Sequence, residues 1–167
     1  EEKERKRLEA ETKNLREYRS VFFGRLKKIL GDIEGIDVVG DRFVFSSEVL
    51  FDRGSAEIGL AGKIQLDTIS SVLKDISQKI PEDINWVLRV DGHTDKTPLS
   101  QNSLFKDNWE LSQARSLSVV KYMINIHEIN PKRLSAAGFG EHQPISFSNS
   151  KEAFAKNRRI EFKLTER

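Results

Sequence analysis

Cysteine is absent from the 167 residues, which excludes a disulfide framework and thiolate metal sites. Long hydrophobic runs are missing too: the apolar stretches last only a few residues, far short of the ~20 that a membrane-crossing helix requires. Neither sign of charge is in real excess. With 28 basic against 26 acidic side chains, no general attraction to nucleic acid or to a membrane surface is expected. The first residue is Glu1 and not methionine, so the expectation is a processed chain or an excised fragment. What remains is a length suited to one domain with a proper core, plus one additional element.

The opening twenty residues are mostly charged, and from Leu8 onward Leu8, Leu15, Phe22 and Ile29 recur at seven-residue spacing, with no glycine or proline before Gly24. This predicts a long helix with a thin apolar seam. Glu11, Tyr18 and Arg25 are poor partners for a coiled-coil core, although Leu26 helps, so a solvated spacer and a dimerising helix both fit. Gly31 and Gly35 end the segment, dividing the chain into a helical stalk over 1–31 and a domain over 36–167.

From Ile36 the periodicity changes. IDVV and RFVF flank Gly40-Asp41, a hairpin signal, and LFDRGSAEI holds a second glycine turn. Leu66, Ile69, Leu73, Ile76 and Ile80 recur at three and four, which predicts a core-packing helix closed by Pro81. NWVLRVD alternates like a strand, and NWELSQARSLSVVKYMINIH over 108–127 returns to helical spacing behind an Asp107/Glu110 capping box. RLSAAGFG, SKEAFAKN and RRIEFKL complete the order as strand, short helix and strand. Such alternation predicts an α/β fold: a two-layer sandwich of a mixed β-sheet with helices on one face, preceded by the long N-terminal helix.

Two charged residues stand at a strand-to-helix junction within that order. Asp95 follows the strand, where α/β proteins open a crevice, and Arg115 lies on the second turn of the next helix. Helical side chains lean toward the helix N-terminus, so Arg115 would reach back toward residues 108–111. Together with the amides of Asn108 to Leu111, the pair would form a receptor for a zwitterion, with Arg115 and the amides for carboxylate and Asp95 for ammonium. The competing account is a structural Asp95–Arg115 salt bridge, and spacing alone leaves both open.

The strings VLFDRGSAEI, DGHTD, NWELSQARS, RLSAAGFGEHQPI and NRRIEFKL, in that order, resemble the OmpA-like peptidoglycan-binding domain over roughly residues 45–164. The long KTPLSQNSLFKD segment is similar to the MotB-like branch, that of flagellar stator subunits. This resemblance implies a non-enzymatic, periplasmic cell-wall anchor without cofactors, which grips the diaminopimelate of the peptidoglycan stem peptide. By matching position it puts the diaminopimelate contacts on Asp95 and Arg115. It further implies that Thr94, Asn108 and Leu111 shape the pocket, that Asn157 and Arg158 border it, and that Arg159 supports it. The resemblance implies peptidoglycan and an inner-membrane stator or other envelope complex, reached through a tethering segment outside this sequence, as partners; the N-terminal seam allows a second copy of the chain, and the balanced charge leaves nucleic acid out.

Other readings are weaker. His93 and Asp95 form an H-x-D pair that His127 or His142 could complete as a metal-dependent hydrolase, yet no H-E-x-x-H or comparable spacing occurs. The serines of 112–118 and 146–150 stand in no G-x-S-x-G. Trp86 alternates inside a strand and reads as core, whereas Trp109 at a helix start stays open between core and a saccharide-stacking surface. An interaction module working mainly through the N-terminal helix is the remaining alternative.

Overall fold

A computed structural model describes the backbone of residues 1–167 and the side chains outside residues 10–14. Helices α1 (Glu2–Leu30), α2 (Ser47–Leu50), α3 (Leu60–Ser77), α4 (Asn108–His127) and α5 (Lys151–Asn157) are interleaved with strands β1 (Ile36–Val39), β2 (Arg42–Ser46), β3 (Trp86–His93), β4 (Leu134–Gly138) and β5 (Arg159–Glu166). A 3-10 turn, Pro131–Arg133, leads into β4 and begins with the Asn130 side chain accepting from the Lys132 amide. Among the described residues no helix is long and apolar enough to cross a membrane.

One sheet carries all five strands in the order β1-β2-β5-β3-β4. Every neighbouring pair is antiparallel except β3–β4, which runs parallel, and α4 supplies the crossover that a parallel pair requires. The β1–β2 turn is tight because Gly40 takes a left-handed φ of 61°, which few side chains tolerate. The mixed sheet with helices expected from sequence is thus the observed architecture.

Strand alternation separates two kinds of interior. Phe43 and Phe45 of β2, Leu88 and Val90 of β3 and Ile160, Phe162 and Leu164 of β5 are all fully buried and join Leu66, Ile69, Leu73 and Ile76 of α3 in one core. Each such side chain contributes about 1.5–3 kcal/mol on burial. Several alternate positions of the same strands carry charges. Arg89 pairs with Asp91 at 2.8 Å, Arg159 with Glu161 at 2.5 Å and Arg42 with Glu161 at 2.6 Å. Register sets Asp91 directly opposite Glu161. Burial lifts the Asp91 carboxyl above its ordinary range despite Arg89, whereas at Glu161 burial acts the same way but is outweighed by Arg159 and Arg42, which hold it low.

Helix α1 differs from a free stalk. Its apolar residues Leu15, Phe22, Phe23, Leu26 and Leu30 are buried in the domain core, packing mainly on α3, and the Arg19 Nε donates to the Leu164 carbonyl at 2.7 Å. The seven-residue seam is only half used, because Ile29 stays 55% exposed while Leu26 and Leu30 turn inward. Glu11 lies outside the described side chains. Residues 1–9 are exposed, and it is this part that extends beyond the core.

Helix α4 sits unusually close to the sheet. A Cβ on Gly92 would stand 2.4 Å from the Ser112 carbonyl oxygen, and one on Gly138 would stand 2.5 Å from the Gln113 nitrogen. The glycines of DGHTD and AAGFG therefore admit the helix backbone, and Ser112 and Ser116 tie it down by bonding the Gly140 amide at 3.0 Å and the Ala137 carbonyl at 2.9 Å. This contact fixes where the first two turns of α4 point.

Candidate functional site

Beyond the C-terminal end of β3 the chain turns into a cleft of about 410 Å³ between the β3–α4 loop, the start of α4 and the segment around α2. Of the seven residues expected at the site, Thr94, Asp95, Asn108, Leu111, Arg115 and Arg158 line it. The seventh, Asn157, does not. Its Oδ1 accepts from the amides of Ile145 and Ser146 at 2.8 and 3.1 Å and its Nδ2 donates to the Ser146 carbonyl, so it latches the 144–148 loop.

Arg115 is 95% hidden yet has no carboxylate within ion-pairing distance among the described residues. Its Nε donates to the Ser55 carbonyl at 2.8 Å, one Nη to the Asp52 carbonyl at 3.3 Å, and its guanidinium lies 5.1 Å from the centre of the Phe51 ring. A guanidinium has five N–H groups. The two carbonyls leave the others uncommitted. Burial pulls its pKa down to about 10, a cost that the more distant Glu48 and Asp95 only partly offset, so at neutral pH it is a cation short of a counter-ion.

The Asp95–Arg115 salt bridge is not formed. Asp95 instead accepts from the Thr97 amide through Oδ1 at 2.9 Å and meets Arg158 Nη1 through Oδ2 at 2.6 Å. Arg158 reaches the other way with Nε to Glu48 at 2.7 Å, making a carboxylate–guanidinium–carboxylate chain across the cleft. At Glu48 burial acts to raise the carboxyl, but the Ser46 hydroxyl and Arg158 outweigh it and keep it below its ordinary range.

The first turn of α4 is less open than its sequence implied. Asp107 caps the Glu110 amide at 2.9 Å and the Leu111 amide bonds the Asp107 carbonyl, which leaves the Asn108 and Trp109 amides without acceptors among the described residues. Only those two donors are on offer, because the capping residue that starts the helix also takes up the next two, Glu110 through its side chain and Leu111 through its carbonyl. The Glu110 carboxylate bonds the Lys106 amide and not that of Asp107, one residue off the reciprocal capping pattern. Asn108 Nδ2 donates to the Asp95 and Thr97 carbonyls at 3.3 and 3.1 Å, and Thr94 Oγ1 to the Asp95 carbonyl at 2.8 Å. Both hold the loop that carries the acid.

Arg159 supports from below through Glu161 and the Gln143 carbonyl. The three histidines are apart: His93 stacks on Phe139 at 5.0 Å, His127 meets Asp67 at 2.6 Å, and His142 lies on the half-exposed Trp109 at 4.8 Å. Trp86 is in the core, with Arg133 against its ring. Sequence reasoning missed Glu48, Phe51 and Arg53, which line the cleft from the α2 side. The glycine turn at Gly54 was visible, but nothing local showed that it faces α4.

The OmpA family profile matches residues 50–158, more than half of the chain. The chain belongs to the OmpA family. Motility protein B of Bacillus subtilis is 38% identical to this OmpA-family domain over 72 residues, covering 43% of the chain and 27% of that protein. Among solved structures, a MotB-like protein from Desulfovibrio vulgaris superposes with a TM-score of 0.79 at 30% identity, covering 95% of both chains. The periplasmic domain of Helicobacter pylori MotB superposes at 0.66 with 28% identity, over 78% of this chain and 80% of that one. The chain spans about half or less of the length of the first curated relatives it matches.

Proposed function

We propose that this domain holds peptidoglycan without covalent chemistry, by gripping the free end of a diaminopimelate residue in the stem peptide. The observation that carries the reading is a buried guanidinium with no carboxylate partner among the described residues, Arg115, lining an open cleft that it shares with Asp95. Diaminopimelate presents a carboxylate and an ammonium on one carbon. Arg115 receives the carboxylate, aided by the Asn108 and Trp109 amides, and Asp95 receives the ammonium beside Arg158. Each charge-assisted contact is worth roughly 1.5–3 kcal/mol. After ordering costs, a monomeric fragment should bind on the order of micromolar to millimolar, and hold on the polymer requires several domains acting together.

The OmpA-family fold and its likeness to a MotB periplasmic domain support placing this anchor in the periplasm, where it would tether a stator or other envelope complex. A homodimer built on the seven-residue seam would have to do without Leu15 and Phe22, which the domain's own core occupies. The test is capture by diaminopimelate-containing sacculi. Asp95→Ala and Arg115→Ala should each abolish pull-down while the circular dichroism spectrum is retained, and higher salt should weaken wild-type capture only moderately because partly enclosed charges are poorly screened. Release at modest ionic strength, or capture by both variants, would overturn the reading.

A further inference from the structure

A second chamber adjoins the cleft. It measures about 240 Å³, is lined by Arg53, Asp95, Thr97, Lys151, Phe154 and Arg158, and shares Arg53, Asp95, Thr97 and Arg158 with the first. Its polarity is one-sided. Three cations face a single carboxylate, and that carboxylate already has Arg158 on its Oδ2. Arg53 and Lys151 have no carboxylate partner among the described residues, and both are exposed, so neither is there to hold the fold together. Taken together, the two chambers set Arg53, Arg115, Lys151 and Arg158 against Glu48 and Asp95. A zwitterion adds no net charge and leaves that surplus of positive charge unanswered. An additional carboxylate on the same ligand answers it.

We propose that Arg53 and Lys151 form a second carboxylate subsite, which reads an acid group on the residue next to the captured diaminopimelate. The inference rests on the diaminopimelate reading above. Asp95 borders both chambers, so a ligand whose ammonium sits on it has the neighbouring residue of the peptide within reach of the second chamber. In a stem peptide that acid could be the α-carboxylate of a γ-linked glutamate on one side or the terminal carboxylate of an alanine on the other. Phe154 gives the chamber an apolar wall, which suits the methyl or methylene carbons carrying either group.

Calorimetric titration tests it with five ligands: free diaminopimelate, γ-glutamyl-diaminopimelate and diaminopimelyl-alanine, and the two dipeptides with that second carboxylate amidated. The wild-type chain is expected to bind at least one acid form about five- to tenfold more tightly than its amide, and whichever dipeptide does so identifies the source. Lys151→Gln, at a residue that lines the second chamber and not the first, should cut that difference to about twofold or less and leave the affinity for free diaminopimelate within about twofold. Equal binding of acids and amides, with diaminopimelate still bound, overturns the subsite alone. So does a Lys151→Gln variant that weakens all five ligands alike, which would mark diffuse attraction. Absence of binding by free diaminopimelate and both dipeptides would remove the underlying reading as well.

Discussion

Arg158 Nη1 stands 2.6 Å from Asp95 Oδ2, so the acid that sequence spacing paired with Arg115 is held by a guanidinium 63 residues away instead. Arg115 is thereby left with backbone carbonyls for company. Asp95→Asn keeps an acceptor for the Thr97 amide but discharges the pair. Sacculus binding should fall at least about tenfold, while Arg158 retains Glu48 and the stability loss stays near 1–2 kcal/mol in denaturant titration. Unchanged binding would show that the charge of Asp95 is not used.

Gly92→Ala tests whether the seating of α4 positions the site. The added carbon meets the Ser112 carbonyl at 2.4 Å and Ser116 Oγ at 2.7 Å, so the helix has to move outward, carrying Arg115 and Asn108. A stability loss of about 1–3 kcal/mol is expected, together with weaker ligand binding in the molecules that remain folded. A folded variant with full affinity would separate the helix position from the site.

Much of this was readable in the chain. The α4 limits at 108–127, the Gly40-Asp41 hairpin, the α3 core face and the strand order along the sequence follow from local periodicity and capping, which need no knowledge of distant partners. The cleft residues Asp95, Asn108, Leu111 and Arg115 are legible because one loop and the first two turns of one helix carry them. What was not legible depends on sheet order. Only the placing of β5 between β2 and β3 brings Arg158 to Asp95 and Glu48, and periodicity cannot rank strands across a sheet. Helix α1 misled for another reason. A seven-residue seam fits a coiled coil and a core-packing helix equally until Phe23, Leu26 and Leu30 are seen to widen the buried face.

That widening has a measurable consequence for where the folded unit begins. We expect deletion of residues 1–31 to remove Phe22, Leu26 and Leu30 from the core and to lower the melting temperature steeply, since loss of one buried Phe side chain alone costs about 3–5 kcal/mol. Deletion of residues 1–9, which are exposed, should leave it nearly unchanged. An unaltered melting temperature after the longer deletion would restore the helix to the role of a separable stalk.

His93 gives the fold an acid-side weakness. Both ring nitrogens are buried without a hydrogen-bond partner among the described residues, and the ring is stacked on Phe139 near Glu161 and Arg159 of β5, Arg42 of β2 and Arg89 of its own strand. Burial first, then Arg159 ahead of the other cations, pushes its pKa down to about 4 against the pull of Glu161. Above pH 6.5 the ring is neutral folded or unfolded. Between 6.5 and about 4 only the unfolded chain takes the proton, so stability falls by an amount on the order of 3 kcal/mol. His93→Phe should keep the stack and lose this segment of the stability–pH curve; parallel curves for the two proteins would exclude His93 as its origin.

The grip on a zwitterion is tested most directly by a crystal structure of the domain with a diaminopimelate dipeptide bound. Its carboxylate should lie within hydrogen-bond distance of Arg115 and its ammonium within that distance of Asp95, in the cleft ahead of α4. Ligand density elsewhere on the surface, or an Arg115 that keeps only the Ser55 and Asp52 carbonyls while ligand is bound, would contradict it.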